Sequence, residues 1–147
     1  SERMVKVISS RCKYVTKDID LLGRLMRAEA IGEGNFGMLL VGNVVINRVV
    51  ANCDVFRNTT TIREVIYQKN AFEGVGAPLF VGSATGKERE LALKNIQGYR
   101  AEPANRALWY RNPGATVPCQ PFWYGDFSGR FKQHCFYNPE DSLGCNL

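Results

Sequence analysis

The sequence predicts a single α+β domain, with helices in its N-terminal two thirds and a small antiparallel sheet toward its C-terminus. Helical hydrophobic spacing and two helix-capping patterns all precede Gly98, whereas short aromatic segments and turn signals follow it. The 147 residues suffice for one hydrophobic core. We expect residues 1–17 to be an N-terminal extension and residues 18–147 to be the folded domain.

The first predicted helix begins near Thr16, which we expect to cap it, and ends at Gly32 and Gly34. One face of this helix has the i, i+3, i+4 and i+7 spacing of a buried stripe. Three of these positions are apolar, and the last one is a carboxylic acid. The stripe consists of Leu22, Leu25, Met26 and Glu29.

Glu29 is the candidate catalytic residue. An ionised carboxylate is unfavourable on an apolar face, so we expect the pKa of Glu29 to rise toward neutrality. A proton held at working pH is what a general acid needs. A structural role stays open, because Glu29 could pair with a buried Arg or Lys or cap a neighbouring helix. Glu33 lies one turn further on the same side, where it could orient substrate or form a salt bridge at the helix end.

Three more helices are predicted before Gly98. The long apolar run from Phe36 to Val50 predicts a buried central helix, because a glycine and an asparagine interrupt any strand alternation. Capping-box patterns at Thr61 and Thr85 begin two shorter helices. A glycine-rich loop, residues 69–78, lies between these two helices, and we expect its Phe72 to be half exposed.

Aromatic segments after Gly98 predict the strands. ALWYR has strand composition and is followed by the turn signal Asn-Pro-Gly, and the further strand candidates are PFWYGDF and RFKQHCFY. Many of these rings could simply fill a core. Exposed rings beside an acid could instead stack on sugar rings, and such a groove would be a plausible glycan-cleaving site.

Composition narrows the classes of partner and cofactor. The net charge of +5 favours polyanionic partners, but the basic residues are scattered and form no nucleic-acid motif, so we expect no nucleic acid. No apolar run is long enough for a membrane span. His134 is the single histidine and the five cysteines lack C-x-x-C spacing, so we expect no metal and no cofactor. A catalytic pair of His134 and Cys135 is not expected either, because neighbours on a strand point to opposite faces.

Four ordered motifs resemble a known family. The chain carries, in order, the segments RAEAIGEGNFGMLLVGNVVINRV, TIREVIYQKNAFEGV, ALWYRNPGA and HCFYNP. Together they resemble the spore cortex-lytic cell-wall hydrolases of the SleB/CwlJ family, most closely its CwlJ branch, over about Asp18 to Asn138. The resemblance implies a domain similar to the lysozyme and lytic-transglycosylase core. It also implies that residues 18–147 form a catalytic domain that degrades spore cortex peptidoglycan in germination.

The resemblance implies roles for individual residues. In the family the first glutamate of the E-A-x-G-E pattern is the catalytic acid, which corresponds to Glu29, and the second corresponds to Glu33. The family commonly has Arg where Ile31 stands, so a charge partner for the glutamates is not expected there. We expect substrate to be bound by the second glutamate and by groove residues, although Trp109 could instead belong to the core. The set is Glu33, Tyr67, Phe72, Trp109, Tyr110 and Asn112.

The expected reaction is cleavage of the bond between N-acetylmuramic acid and N-acetylglucosamine by a lytic transglycosylase, which needs one carboxyl group. Glu29 and Glu33 share a helix face and make a poor opposed pair, and the next candidate, Asp126, lies in a glycine-rich turn where we expect solvent exposure. Two alternatives stay open. One is an N-acetylmuramoyl-L-alanine amidase, which would usually need zinc and at least two histidines, and the other is a non-catalytic coat or scaffold protein.

The resemblance further implies where the protein acts. We expect synthesis in the mother-cell cytoplasm without a signal peptide, from a start at Met4, and deposition at the boundary of spore coat and cortex. Peptidoglycan and a retaining coat protein are the expected partners. Outside a reducing cytoplasm, we expect at least two of four cysteines to pair. These four are Cys53, Cys119, Cys135 and Cys145.

Overall fold

The computed structural model describes residues 9–147, and within that range helices come first and a sheet comes last. The four α-helices are α1 (Thr16–Ala30), α2 (Gly34–Val50), α3 (Ile62–Ile66) and α4 (Gly86–Ile96). The three strands are β1 (Trp109–Arg111), β2 (Asp126–Phe131) and β3 (His134–Asn138). This order confirms the predicted α+β class. The expected start at Met4, and the first part of the expected N-terminal extension, lie outside the described residues.

The sheet is antiparallel throughout, with β3 between β1 and β2. Two predicted strand segments were wrong in their extent. PFWYGDF does not form one continuous strand. Phe122 forms an isolated bridge to Asp126, and β2 begins at Asp126. RFKQHCFY is divided by a two-residue turn at Lys132 and Gln133, where Lys132 has a φ of 50°. The turn makes β2 and β3 a hairpin.

Threonine side chains cap two of the helices. Thr61 and Thr85 were predicted correctly, since each hydroxyl accepts a hydrogen bond at 3.1 Å from the third N–H of its helix. The prediction for Thr16 was wrong, because Thr16 is the first helical residue and Val15 is the capping position. There the Val15 N–H donates to the Asp18 carboxylate at 2.8 Å, so a carboxylate of the first turn binds the backbone of the capping residue.

Helix α2 lies at the centre of the fold, and every residue from Gly37 to Val49 is buried. It begins two residues before the predicted start at Phe36. Its apolar side chains pack against α1 and α4 and also against the segment that leads into the sheet. In the described part of the chain, no helix combines the length and the apolar character that crossing a membrane would require.

Three buried polar side chains of α2 hold the segment 101–108, which leads into β1. The bonds run from the Ala101 N–H to Asn43 Oδ1 (2.9 Å), from Asn47 Nδ2 to the Ala107 carbonyl (2.8 Å) and from Arg48 Nε to the Leu108 carbonyl (2.6 Å). Asn47 Nδ2 also lies 3.2 Å from the carbonyls of Ala104 and Asn105. These bonds fix the path of the chain into the sheet.

Arg27 holds the loop of residues 79–83 against α1. Its buried guanidinium donates to four carbonyls of this loop, at 2.7 to 3.3 Å, and to the Glu88 carboxylate at 2.8 Å. Charge-assisted bonds of this kind are stronger than neutral ones. Because Arg27 precedes Glu29 by two residues, the network also fixes the C-terminal part of α1.

Two disulfides connect distant segments of the chain. Cys53 pairs with Cys145, and Cys119 pairs with Cys135 on β3. The expected pairing is confirmed for all four cysteines. The fifth, Cys12, forms no disulfide within residues 9–147.

Replacing Asn47 with Ala should lower the free energy of unfolding by roughly 1–3 kcal/mol, because buried backbone carbonyls lose their shared donor. Asn35→Ala, in the exposed first turn of the same helix, is the matched control and should change that free energy by less than about 0.5 kcal/mol. Chemical denaturation measures both. Equal stability of Asn47→Ala and the wild type would contradict this role for Asn47.

Candidate active site

A cavity of about 400 Å³ lies at the C-terminal end of α1, bordered by residues 70–73, β1 and the start of β3. This volume lies within the usual range for small-molecule sites. Four of the predicted site residues line it, namely Glu29, Phe72, Tyr110 and Asn112. The other lining residues were not singled out from the sequence as site residues. They are Arg48, Asn70, Ala71, Glu73, Arg111, Trp123 and His134.

Glu29 lies in the last turn of α1, with its carboxyl group in the cavity wall. Its Oε1 accepts a hydrogen bond from the Gly74 N–H at 3.2 Å. A Cβ at position 74 would lie 3.0 Å from the carboxyl carbon of Glu29, so the Glu29 side chain would have to shift by a few tenths of an ångström. The absence of a side chain at Gly74 therefore favours the present position of the carboxyl group.

The environment of Glu29 favours its protonated form. Burial raises the pKa of Glu29 above its ordinary value, and the negative charge of Glu73 also raises it. The Gly74 N–H, the Tyr110 hydroxyl and the neighbouring His134 act in the opposite direction without reversing the shift. This is the direction that the apolar helix face predicted. A carboxyl group of this kind can donate a proton nearer to neutral pH.

Tyr110 lies against Glu29 from β1. Its ring centroid is 6.0 Å from that of Phe72 and 5.3 Å from that of His134. Burial raises the pKa of the Tyr110 hydroxyl well above its ordinary value, so this group stays neutral. The hydroxyl is close enough to lower the pKa of Glu29, yet it makes no hydrogen bond of standard geometry to another described residue. The hydroxyl is buried beside Glu29, so it acts on that carboxyl group.

Phe72 is buried, with 8% of its surface exposed, so the prediction of half exposure was wrong. The loop folds back over the end of α1, which places Phe72 between Tyr110 and the guanidinium of Arg48. Its ring lines the cavity, as predicted, and it also supports the two neighbouring site residues.

Glu33 does not line the cavity with Glu29. The α-helix changes to a short 3₁₀ turn at Ile31–Glu33, so the extrapolated helical spacing was wrong for this residue. The Glu33 carboxylate accepts from the Gln133 N–H at 2.8 Å and lies 2.5 Å from His134 Nδ1. Glu33 therefore joins the end of α1 to the β2–β3 turn and holds His134, which does line the cavity.

Two further predicted groove residues lie outside this cavity. Tyr67 is 44% exposed, and its ring packs edge-on against Phe80. Trp109 is 7% exposed and stacks on Tyr124, so most of its surface belongs to the core, as the alternative allowed. Its remaining surface lines a neighbouring cavity.

Four charged or titratable residues of the cavity were missed, namely Arg48, Glu73, Arg111 and His134, and their signals in the sequence differ. Arg111 follows Tyr110 in the strand segment ALWYR and carries no signal of its own. Arg48 is a charge inside an apolar helix, and such an interruption is a usable signal for a buried function. Glu73 follows Phe72 in a glycine-rich loop and carries no signal of its own. His134 is the single histidine, but only the fold brings it to Glu33 and Tyr110. Among residues 9–147, no three His, Cys, Asp or Glu side chains are grouped so that they could hold a metal ion.

Comparison with known proteins assigns the family. The family described as Cell Wall Hydrolase matches residues 32–137. Cell wall hydrolase CwlJ of Bacillus subtilis strain 168 is 53% identical over 128 residues, covering 86% of this chain and 89% of that protein. The chain belongs to the cell wall hydrolase family. A spore cortex-lytic enzyme of Oceanobacillus iheyensis is 33% identical to this cell wall hydrolase over 104 residues, covering 71% of the chain and 36% of the relative.

A solved structure with the same fold is the catalytic domain of the germination-specific lytic transglycosylase SleB from Bacillus anthracis. The match has a TM-score of 0.68 at 24% identity and covers 85% of this cell wall hydrolase and 97% of that chain. It confirms the predicted fold, with helices first and a small C-terminal sheet.

Glu29→Gln should raise the thermal midpoint of unfolding at neutral pH. Because burial raises the pKa of Glu29, the stability that this group contributes is present below its unfolded pKa and is lost as the pH rises toward its folded pKa. The neutral amide avoids that loss, so the increase in the thermal midpoint should be larger at pH 8 than at pH 4. Calorimetry at both values measures it, with the exposed Glu90→Gln as control. A gain that is independent of pH would contradict the argument.

Proposed function

We propose that this cell wall hydrolase cleaves the β-1,4 bond between N-acetylmuramic acid and N-acetylglucosamine in spore cortex peptidoglycan, as a lytic transglycosylase acting in germination. The observation that carries the proposal is a carboxyl group of raised pKa, Glu29, in the wall of a cavity. Relatives named cell wall hydrolase and spore cortex-lytic enzyme support the substrate. A neighbour in fold named lytic transglycosylase agrees with the reaction type.

Glu29 acts first as an acid and then as a base. Its proton passes to the glycosidic oxygen as the bond to C1 of the muramic acid breaks, and the N-acetylglucosamine leaves as an alcohol. The Glu29 carboxylate then takes the proton from the C6 hydroxyl of the same muramic acid, whose oxygen bonds to C1. The product has a 1,6-anhydromuramic end, Glu29 regains its proton, and no water is consumed.

The other residues predicted from the sequence have different roles in this proposal. Tyr110 and Asn112 bind the sugar, because both line the cavity and the Tyr110 hydroxyl makes no standard hydrogen bond to a described residue. Phe72 forms part of the wall. Glu33 is a positioning residue that acts through His134. The role of Tyr67 stays a prediction from the sequence, since Tyr67 lines neither cavity.

Glu73 supports a competing route in which water cleaves the bond. A hydrolase needs a second carboxylate, and Glu73 lines the cavity beside Gly74, whose N–H binds Glu29. Asp126, the candidate from the sequence, is exposed and lines neither cavity. We favour the transglycosylase route because the C6 hydroxyl is tethered to the reacting sugar, which gives it a high effective concentration.

We also propose that the enzyme works at the boundary of spore coat and cortex and is held there by a coat protein. The name of the spore cortex-lytic relative supports a place in the spore. The retaining partner stays a prediction from the family resemblance.

Glu29→Gln should lower the rate of peptidoglycan cleavage about 100- to 10,000-fold, because the amide keeps the shape of the side chain and cannot donate a proton. Mass spectrometry of wild-type products should show anhydromuramic ends, without new reducing ends or freed L-alanine amino groups. New reducing muramic ends would indicate a hydrolase, and freed amino groups an amidase. Peptidoglycan binding without any cleavage by the wild type would indicate a scaffold protein.

Glu73→Gln should keep most of the activity and the same anhydro product. Because the negative charge of Glu73 raises the pKa of Glu29, its removal should lower that pKa, and the alkaline limb of the pH–rate profile should move to lower pH. Asp126→Asn is the control and should leave the profile in place. Loss of more than about 100-fold in Glu73→Gln would instead assign Glu73 as the base of a hydrolase.

A further inference from the structure

A second cavity, of about 480 Å³, adjoins the one that contains Glu29. The two cavities share the side chains of Arg48, Asn70, Ala71 and Trp123, so they meet along a common wall. The reaction proposed above does not use the second cavity. A polymer that is cut at Glu29 extends beyond the reacting sugar, and the second cavity offers space for that extension.

Four aromatic side chains contribute to the wall of the second cavity: Phe56, Trp109, Trp123 and Tyr124. The rings of Trp109 and Tyr124 are stacked at 23°, with centroids 6.1 Å apart, and Trp123 meets Tyr124 edge to face at 4.9 Å. Trp109 is 7% exposed, whereas Tyr124 is 65% exposed. Stacking on a buried ring thus holds an exposed ring in place, with apolar surface free for a sugar.

Tyr124 has an unfavourable backbone conformation. Its φ is 61°, in the left-handed region that a bulky residue rarely adopts. The chain around it is constrained, because the Trp123 N–H donates to the Gly125 carbonyl at 3.0 Å. At Gly125 itself, a Cβ would lie 2.1 Å from the Asn138 carbonyl oxygen. Conformations of this kind cluster at functional sites, which points to a use for the exposed ring.

The segment 119–125 is tied firmly to the sheet. The disulfide between Cys119 and Cys135 joins its start to β3, and the Tyr137 hydroxyl donates to the Gln120 carbonyl at 2.9 Å. An aromatic surface that is ordered before binding loses little conformational entropy when a ligand arrives.

Arg48 supplies a polar group in the common wall. It is 6% exposed, its Nε donates to the Leu108 carbonyl, and its guanidinium lies over the rings of Phe56 and Phe72. Its terminal nitrogens make no hydrogen bond or salt bridge within residues 9–147, although the nearby Glu29 stabilises the charge of the guanidinium. N–H groups of a buried guanidinium that make no hydrogen bond inside the protein are donors available to a ligand.

We propose that the second cavity is a further saccharide subsite, in which Tyr124 and Trp123 stack on an N-acetylated sugar and Arg48 donates to its acetamido or hydroxyl oxygens. The inference rests on the proposed glycan substrate. The subsite extends the groove by at least one sugar beyond those at Glu29. The enzyme therefore binds longer glycan strands more tightly than disaccharides.

Binding of peptidoglycan oligosaccharides to the Glu29→Gln protein tests the subsite without turnover. Calorimetry would compare a disaccharide and a tetrasaccharide of alternating N-acetylglucosamine and N-acetylmuramic acid. Tyr124→Ala, introduced into the Glu29→Gln protein, should weaken tetrasaccharide binding about three- to tenfold. It should also reduce the difference in affinity between the tetrasaccharide and the disaccharide. Tyr124→Asn, a residue that tolerates the left-handed region, should do the same without backbone strain.

The matched control is Phe122→Ala, since this ring is 51% exposed in the same segment but lines neither cavity. A second readout is tryptophan fluorescence, because both tryptophans of the chain line the second cavity. It should change on saturation with tetrasaccharide.

Unchanged tetrasaccharide affinity in both Tyr124 variants, an equal loss in Phe122→Ala, or unchanged fluorescence at saturation would overturn the subsite. Lack of any tetrasaccharide binding would overturn it too. Turnover by Glu29→Gln would overturn only the role of Glu29, because the calorimetric comparison does not depend on catalysis.

Discussion

The hydrogen bonds between α2 and residues 101–108 are the constraint on which the site depends. Helix α2 is buried along most of its length, so each polar side chain on it needs a partner inside the protein. Asn43, Asn47 and Arg48 each bond through one polar atom to the backbone before β1. A strand of three residues such as β1 has few pairing contacts of its own. The bonds from α2 therefore place Tyr110 of β1 against Glu29.

The features that could be predicted from the sequence depend on neighbours within one or two helical turns. The caps at Thr61 and Thr85 depend on a hydroxyl and an N–H three residues away. The position of Glu29 on a buried face follows from the spacing of α1, and its raised pKa follows from the same stripe, because burial is the largest cause of the shift. Periodicity is informative where the chain is regular and the cause is local.

The rest of the site could not be predicted because its contacts are distant in sequence. The Gly74 N–H reaches Glu29 across 45 positions, and His134 reaches Glu33 across 101. Helical spacing predicted the position of Glu29 correctly but not that of Glu33, since the helix changes its pitch at Ile31. The aromatic segment before β2 has strand composition, but a disulfide and a strained turn hold it outside the sheet. Tertiary contacts overrode propensity there.

Several polar groups around the cavity are buried, and their burial connects the stability of the fold with its function. The carboxyl of Glu29, the hydroxyl of Tyr110 and the guanidinium of Arg48 are all largely buried and incompletely paired within the described chain. Sugar hydroxyl or acetamido groups can supply the hydrogen bonds that these groups do not make within the protein. Burying such polar groups is unfavourable, and other contacts of the fold offset it, some of them close to the site. Two of its strong constraints lie there, since Arg27 binds a loop two residues before Glu29, and the disulfide at Cys135 adjoins His134.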